Sequence, residues 1–128
     1  MHLILIPAEP RTRCLLVLAE VSPADALQLI ERIRGLSSLE AEPVVLASTR
    51  NEDEPLSLIA RATSRDNGCH RVTDQGGRPA IHCDLTPITW DQVADLIEPF
   101  SIAVAGHARQ YLSDDGELEW IISTDRSW

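Results

Sequence analysis

Lysine is absent from the 128-residue chain: all eleven basic residues are arginine, set against twenty acidic ones, for a formal net charge of -9. So few cations work against direct nucleic-acid binding, which draws on Lys/Arg contacts that release counterions from phosphates. They work equally against adsorption to an anionic membrane surface. Aromatic residues make up only 4% of the chain. No apolar run approaches the roughly 18–20 residues of a membrane-spanning helix. The three cysteines, Cys14, Cys69 and Cys83, are odd in number and sparse, which excludes a dense secreted disulfide framework. The first seven residues, Met-His-Leu-Ile-Leu-Ile-Pro, lack a basic n-region, and their apolar stretch is too short for a signal peptide. A reducing cytoplasm is therefore the expected compartment. No Gly-x-Gly-x-x-Gly, P-loop, Gly-x-Ser-x-Gly elbow or His-Glu-x-x-His occurs. Nucleotide chemistry and the common hydrolase sites are left without support, and the reading leans away from an enzyme.

What is present is a soluble globular pattern. Hydrophobic residues form 44% of the chain, and its length suits one domain over residues 1–128 that buries a core without staples. The charge is uneven. Residues 1–36 hold four acids and four Arg, net 0; residues 37–68 hold six and three, net -3; residues 69–128 hold ten and four, net -6. Acidity thus gathers in the middle and C-terminal parts, as an acidic face would require.

Residues 2–6 read as a short strand stopped by Pro7, and the apolar run over 12–21 as a strand buried on both faces. A helix follows: Ser22 as N-cap, Pro23 at the first position, Asp25 in the first turn, a stripe of Ala26, Leu29, Ile30 and Ile33 widened by Leu27, and Gly35 as the stop. Residues 44–49 read as a buried strand. A short helix is predicted over about 54–64, with Leu56, Ile59 and Ala62 inward. Residues 69–85 read as a hairpin turning on Gly76-Gly77, a register that sets His70 opposite Cys83 and Arg71 opposite His82. Thr89, with Gln92 three residues on, marks the next helix start, whose buried face is Trp90, Val93, Ala94 and Ile97. A last hairpin turns on residues 113–116, with Leu112 opposite Leu118, Gln110 opposite Trp120 and Ala108 opposite Ile122. The expected fold is α+β, a mixed α/β sandwich with a ferredoxin-like sheet and two to three helices packed on it.

Cys69-His70 and His82-Cys83 are the sharpest local pattern, because all four are zinc-ligand types. Adjacent strand residues point to opposite faces, so one face receives about two of the four; no cofactor is the primary expectation, with zinc on Cys69, His70, His82 and Cys83 as the alternative. A Cys69–Cys83 disulfide requires a register one residue away. Cys69, His82 and Asp84 share a face in the expected register, which raises a thiol–imidazole pair, but no oxyanion hole or pocket accompanies it. Cys14 reads as a buried, inert thiol.

Acids cluster at Glu52-Asp53-Glu54 and at Asp114-Asp115 with Glu117 and Glu119, and Tyr111 is a candidate aromatic anchor beside the second group. Trp128 raises the same idea; Trp90 and Trp120 read as core. The leading functional expectation is a small acidic binding protein that inhibits a basic partner enzyme. An immunity protein neutralising a bacterial nuclease-type toxin by covering its active cleft is one form of it. The alternatives are a small-molecule or metal-binding sensor or enzyme using His70, His107 and the adjacent Gly106, and a nucleic-acid mimic built from spaced carboxylates. A homodimer is left open.

Overall fold

The computed structural model describes residues 1–7, 13–49, 56–73, 75–102 and 108–125. In chain order the elements are β1 (His2–Ile6), β2 (Cys14–Ala19), α1 (Pro23–Arg34), β3 (Val44–Ser48), β4 (Ser57–Ala62), β5 (Gly68–Thr73), β6 (Pro79–Leu85), α2 (Pro87–Ile97), a 3₁₀ turn (Glu98–Ser101), β7 (Arg109–Ser113) and β8 (Leu118–Ser123). All eight strands join one sheet in the order β1-β2-β8-β5-β6-β4-β3, with β7 also paired to β8. The terminal strands β1 and β3 approach each other, so the sheet curls nearly into a barrel. This overturns the ferredoxin-like sandwich. The late hairpins do not sit side by side on an open layer; parallel β2–β8 and β4–β6 ladders tie distant parts of the chain into one curved sheet.

Helix α1 forms as its local chemistry requires. The Ser22 hydroxyl accepts from the Asp25 amide at 3.1 Å, and the Asp25 carboxylate accepts from the Ser22 amide at 3.0 Å, a reciprocal cap. Ala26, Leu29 and Ile33 are buried, but Leu27 is 58% exposed and does not widen the stripe. Helix α2 is capped three residues earlier than Thr89. Thr86 is its N-cap, accepting from the Thr89 amide at 3.2 Å, and Pro87 takes the first turn. Its buried face is the expected one. The helices pack on each other, and Arg34 of α1 binds Asp91, Asp95 and Glu98 at 2.7, 3.2 and 2.9 Å.

The core lies between the curled sheet and these helices. Trp90 of α2 and Trp120 of β8 meet edge to face with ring centres 6.0 Å apart, among fully buried Leu16, Leu18, Leu58 and Leu85. Burying each such side chain stabilises the fold by about 1.5–3 kcal/mol. Leu16, Val17, Leu18 and Ala19 are all buried, as a strand covered on both faces requires.

Three further local expectations fail, all in the strands. Residues 57–62 form strand β4, not a helix: Leu58 and Ala60 point inward, and β3 and β6 flank the strand. The spacing of Leu56, Ile59 and Ala62 fits a helix, but the alternation of Leu58 with Ala60 fits a strand equally, and two ladders decide between them. Hairpin β5–β6 closes with Thr73 opposite Pro79, so Cys69 faces Cys83 and His70 faces His82. In β7–β8, a bulge between Tyr111 and Ser113 sets Ser113 opposite Trp120 and Gln110 opposite Ile122. Leu118, Trp120 and Ile122 are nonetheless buried. Among the described residues no helix is long and apolar enough to cross a membrane.

Candidate functional site

Three neighbouring strands build one polar cluster on the face of the sheet turned away from the core. In β4, Leu58 and Ala60 are spent on the core, so Arg61 projects outward. In β6, Ile81, Cys83 and Leu85 are core, which turns His82 and Asp84 to the same outer face. In β5, Cys69 is core and His70 is outward. The register aligns Arg61 with Asp84 across β4–β6 and His70 with His82 across β5–β6. Gly68, opposite Asp84, contributes no side chain. It holds a φ of +72°, and a Cβ there would lie 1.8 Å from the Asp115 carbonyl oxygen. The β7–β8 turn therefore closes over the start of β5 only because position 68 is glycine.

Asp84 is 6% exposed, and its Oδ1 accepts no hydrogen bond. The Arg61 Nε lies 3.5 Å from that oxygen, an ionic contact too poorly directed to count as a hydrogen bond. The His70 Nε2 lies 3.6 Å from Oδ2. A buried carboxylate with an unmet acceptor is costly unless a cation or donor completes it. The Arg61 Nη1 donates to His82 Nδ1 at 2.8 Å. Arginine only donates, so Nδ1 carries a lone pair and the proton of the neutral ring sits on Nε2. Burial, then the Arg61 charge, pulls His82 below the usual imidazole range, against the opposing pull of Asp84. His70 and His82 stand edge to face with ring centres 6.2 Å apart. One donor atom from each of His70, His82 and Asp84 lies within 4.8 Å of the others.

Neutral imidazole and carboxylate are the donor set of zinc and of ferrous, cobalt or nickel ions. Donors bound to one such ion at about 2.0–2.2 Å stand roughly 3–3.5 Å apart. The cluster must therefore tighten, and ligation through the His82 Nδ1 requires the guanidinium to leave it. Three protein donors leave coordination positions open, the arrangement of reactive rather than structural metal sites.

The expected four-residue zinc set is corrected by register. Cys69 and Cys83 face the core, with their sulfurs 2.8 Å apart as free thiols, while the two histidines face outward and are joined by Asp84. The pairing of Cys69 with His82 on one face is overturned in the same way. Cys14 is only half-buried, and its sulfur accepts from the Arg71 guanidinium at 3.3 Å. Arg61 belonged to no candidate set, because its segment reads as a helix; the alternation over residues 57–62 was the signal that could place it.

The acidic candidates divide. Asp114, Asp115 and Glu117 are exposed, and Tyr111 is 56% exposed. Glu119 is bound by the Arg13 guanidinium at 3.3 Å. Tyr111, Asp114 and Glu119 line one open cleft of about 440 Å³. Glu52, Asp53, Glu54, Gly106, His107 and Trp128 lie outside the described residues. No protein-family model matches the chain, and no curated protein or solved structure matches it either.

Proposed function

We propose that the chain binds a divalent transition-metal ion through His70, His82 and Asp84. The observation that carries this reading is the buried Asp84 carboxylate, its Oδ1 without a hydrogen bond, set among two imidazoles. A cation there meets the unmet acceptor, and the neutral histidine supplies a lone pair without first losing a proton. Titration of chelator-treated protein with Zn²⁺ or Co²⁺ tests the reading. One ion per chain and a raised melting temperature are expected, both lost in Asp84→Asn and in His70→Ala. Absence of binding, or equal binding by these variants, overturns it.

A second reading is favoured by a different observation. Tyr111, Asp114 and Glu119 share one open cleft, and an exposed aromatic beside carboxylates suits docking of a basic partner protein. The immunity-type inhibitor is the functional form of this reading. Its test is a salt series with a candidate basic nuclease. Binding that weakens steeply with salt and is lost in a paired Asp114→Lys, Tyr111→Ala variant supports it; salt-independent binding overturns it.

A further inference from the structure

Arg61 reaches the same polar cluster from β4. Its Nη1 caps the His82 lone pair at 2.8 Å and its Nε stands 3.5 Å from Asp84 Oδ1. One guanidinium thus engages one atom each of two of the three residues and pairs with the buried Asp84 carboxylate. Its side chain is 40% exposed, so it can swing to solvent without opening the core. A divalent ion that takes the His82 Nδ1 or the Asp84 Oδ1 displaces it, and the local charge then changes. Asp84 supplies -1 against the +2 of the metal. One positive charge is thus left uncompensated beside a 6% exposed carboxylate, with the displaced Arg61 at the rim, and an anion offsets it. The metal offers open positions, and the guanidinium offers a planar pair of donors at the rim that matches an oxyanion.

We infer that the site takes its metal together with a small oxyanion, a carboxylate or a phosphate-like group, bridged between the ion and Arg61. This deepens the metal-binding reading and rests on it. Arg61 is then a competitor for the empty site and a ligand-binding arm for the filled one. The two roles predict opposite effects of removing it, which a purely structural arginine would not produce.

The experiment follows Co²⁺ by its visible absorption, in the wild type, Arg61→Gln and Arg61→Lys. Each is titrated alone, with acetate as the carboxylate probe, and with methylphosphonate as the phosphate-like probe; the two arms separate the oxyanion classes. In the wild type at least one probe is expected to tighten Co²⁺ binding by about tenfold, an ordinary coupling between two ligands. In Arg61→Gln, Co²⁺ alone binds more tightly than to the wild type, and the anion effect disappears. Arg61→Lys retains part of it. The Arg61 backbone carbonyl still accepts from the Trp90 Nε1 in these variants, a 2.8 Å bond the side chain does not supply. Folding is checked by circular dichroism. If Co²⁺ binds the wild type but neither probe changes its affinity, or if Arg61→Gln keeps the full anion effect, the oxyanion proposal is overturned and the metal reading stands. If Co²⁺ binds none of the proteins, both fall.

Discussion

Turned inward, Cys69 and Cys83 oppose each other across β5–β6 and are wholly buried. Turned outward one rung along, His70 and His82 oppose each other half-open to solvent. The same physics acts on both pairs. Burial, then the neighbouring Cys69, pushes the Cys83 thiol well up, and burial, then Arg61, pulls His82 down. Each group is held in its neutral form. The consequence differs because a neutral imidazole keeps a lone pair to give a metal, whereas a sulfur binds metal as thiolate. One strand pair therefore sets two thiols toward the core and two imidazoles toward the outer face, from residues adjacent in sequence.

The largest expected effect breaks both faces together. Gly68→Ala places a Cβ against the Asp115 backbone at a φ that side chains rarely adopt. It should cost more than about 3 kcal/mol or abolish folding, read by urea denaturation. Cys83→Ser strikes the inner face alone. A hydroxyl in that apolar setting should cost about 1–3 kcal/mol, while Co²⁺ stoichiometry stays at the wild-type value; loss of the metal would erase the division between faces.

Asp84→Asn strikes the outer face alone. It removes a buried charge whose Oδ1 has no hydrogen bond, so metal-free stability should move by about 1 kcal/mol or less, in either direction. Metal binding should vanish. A large destabilisation without metal would make the cluster structural instead.

The smallest effect concerns Asp66, in the turn that leads into β5. Burial opposes its ionisation. The Thr86 amide and the Thr89 hydroxyl, each at 2.8 Å, outweigh this and hold the carboxyl below its ordinary 3.8. A lowered folded value means the contribution is present above the unfolded pKa and is lost as pH falls through the folded one. Asp66→Asn should cost under about 1 kcal/mol at pH 7 for so exposed a group, and the gap from wild type should shrink below about pH 4. An unchanged gap at low pH would remove Asp66 from the account of how the turn is held.

Much of the scaffold was legible in residue order. Ser22, Pro23 and Asp25 announce α1, and the spacing of Trp90, Val93, Ala94 and Ile97 fixes the buried face of α2, because caps and helical stripes are set by residues three or four apart. The candidate site was legible only in its histidines. A hairpin loop of two residues and one of five both suit Gly76-Gly77, and the difference of one rung exchanges which side chains share a face. Arg61 and Asp84 come together across a parallel ladder between segments some twenty residues apart, and nothing local in either segment announces that pairing.

The sequence by itself determined an acidic chain with a neutral first third, two amphipathic helices, and a hydrophobic alternation sufficient for a core. Tertiary structure alone decided that residues 57–62 extend rather than coil, that the thiols turn inward while the imidazoles turn outward, and that one buried carboxylate and one arginine complete the cluster. The reason is the range of the forces involved. Helix signals are written within a turn, whereas strand register is chosen by partners elsewhere in the chain, and a period of two turns every one-residue choice into a choice of face.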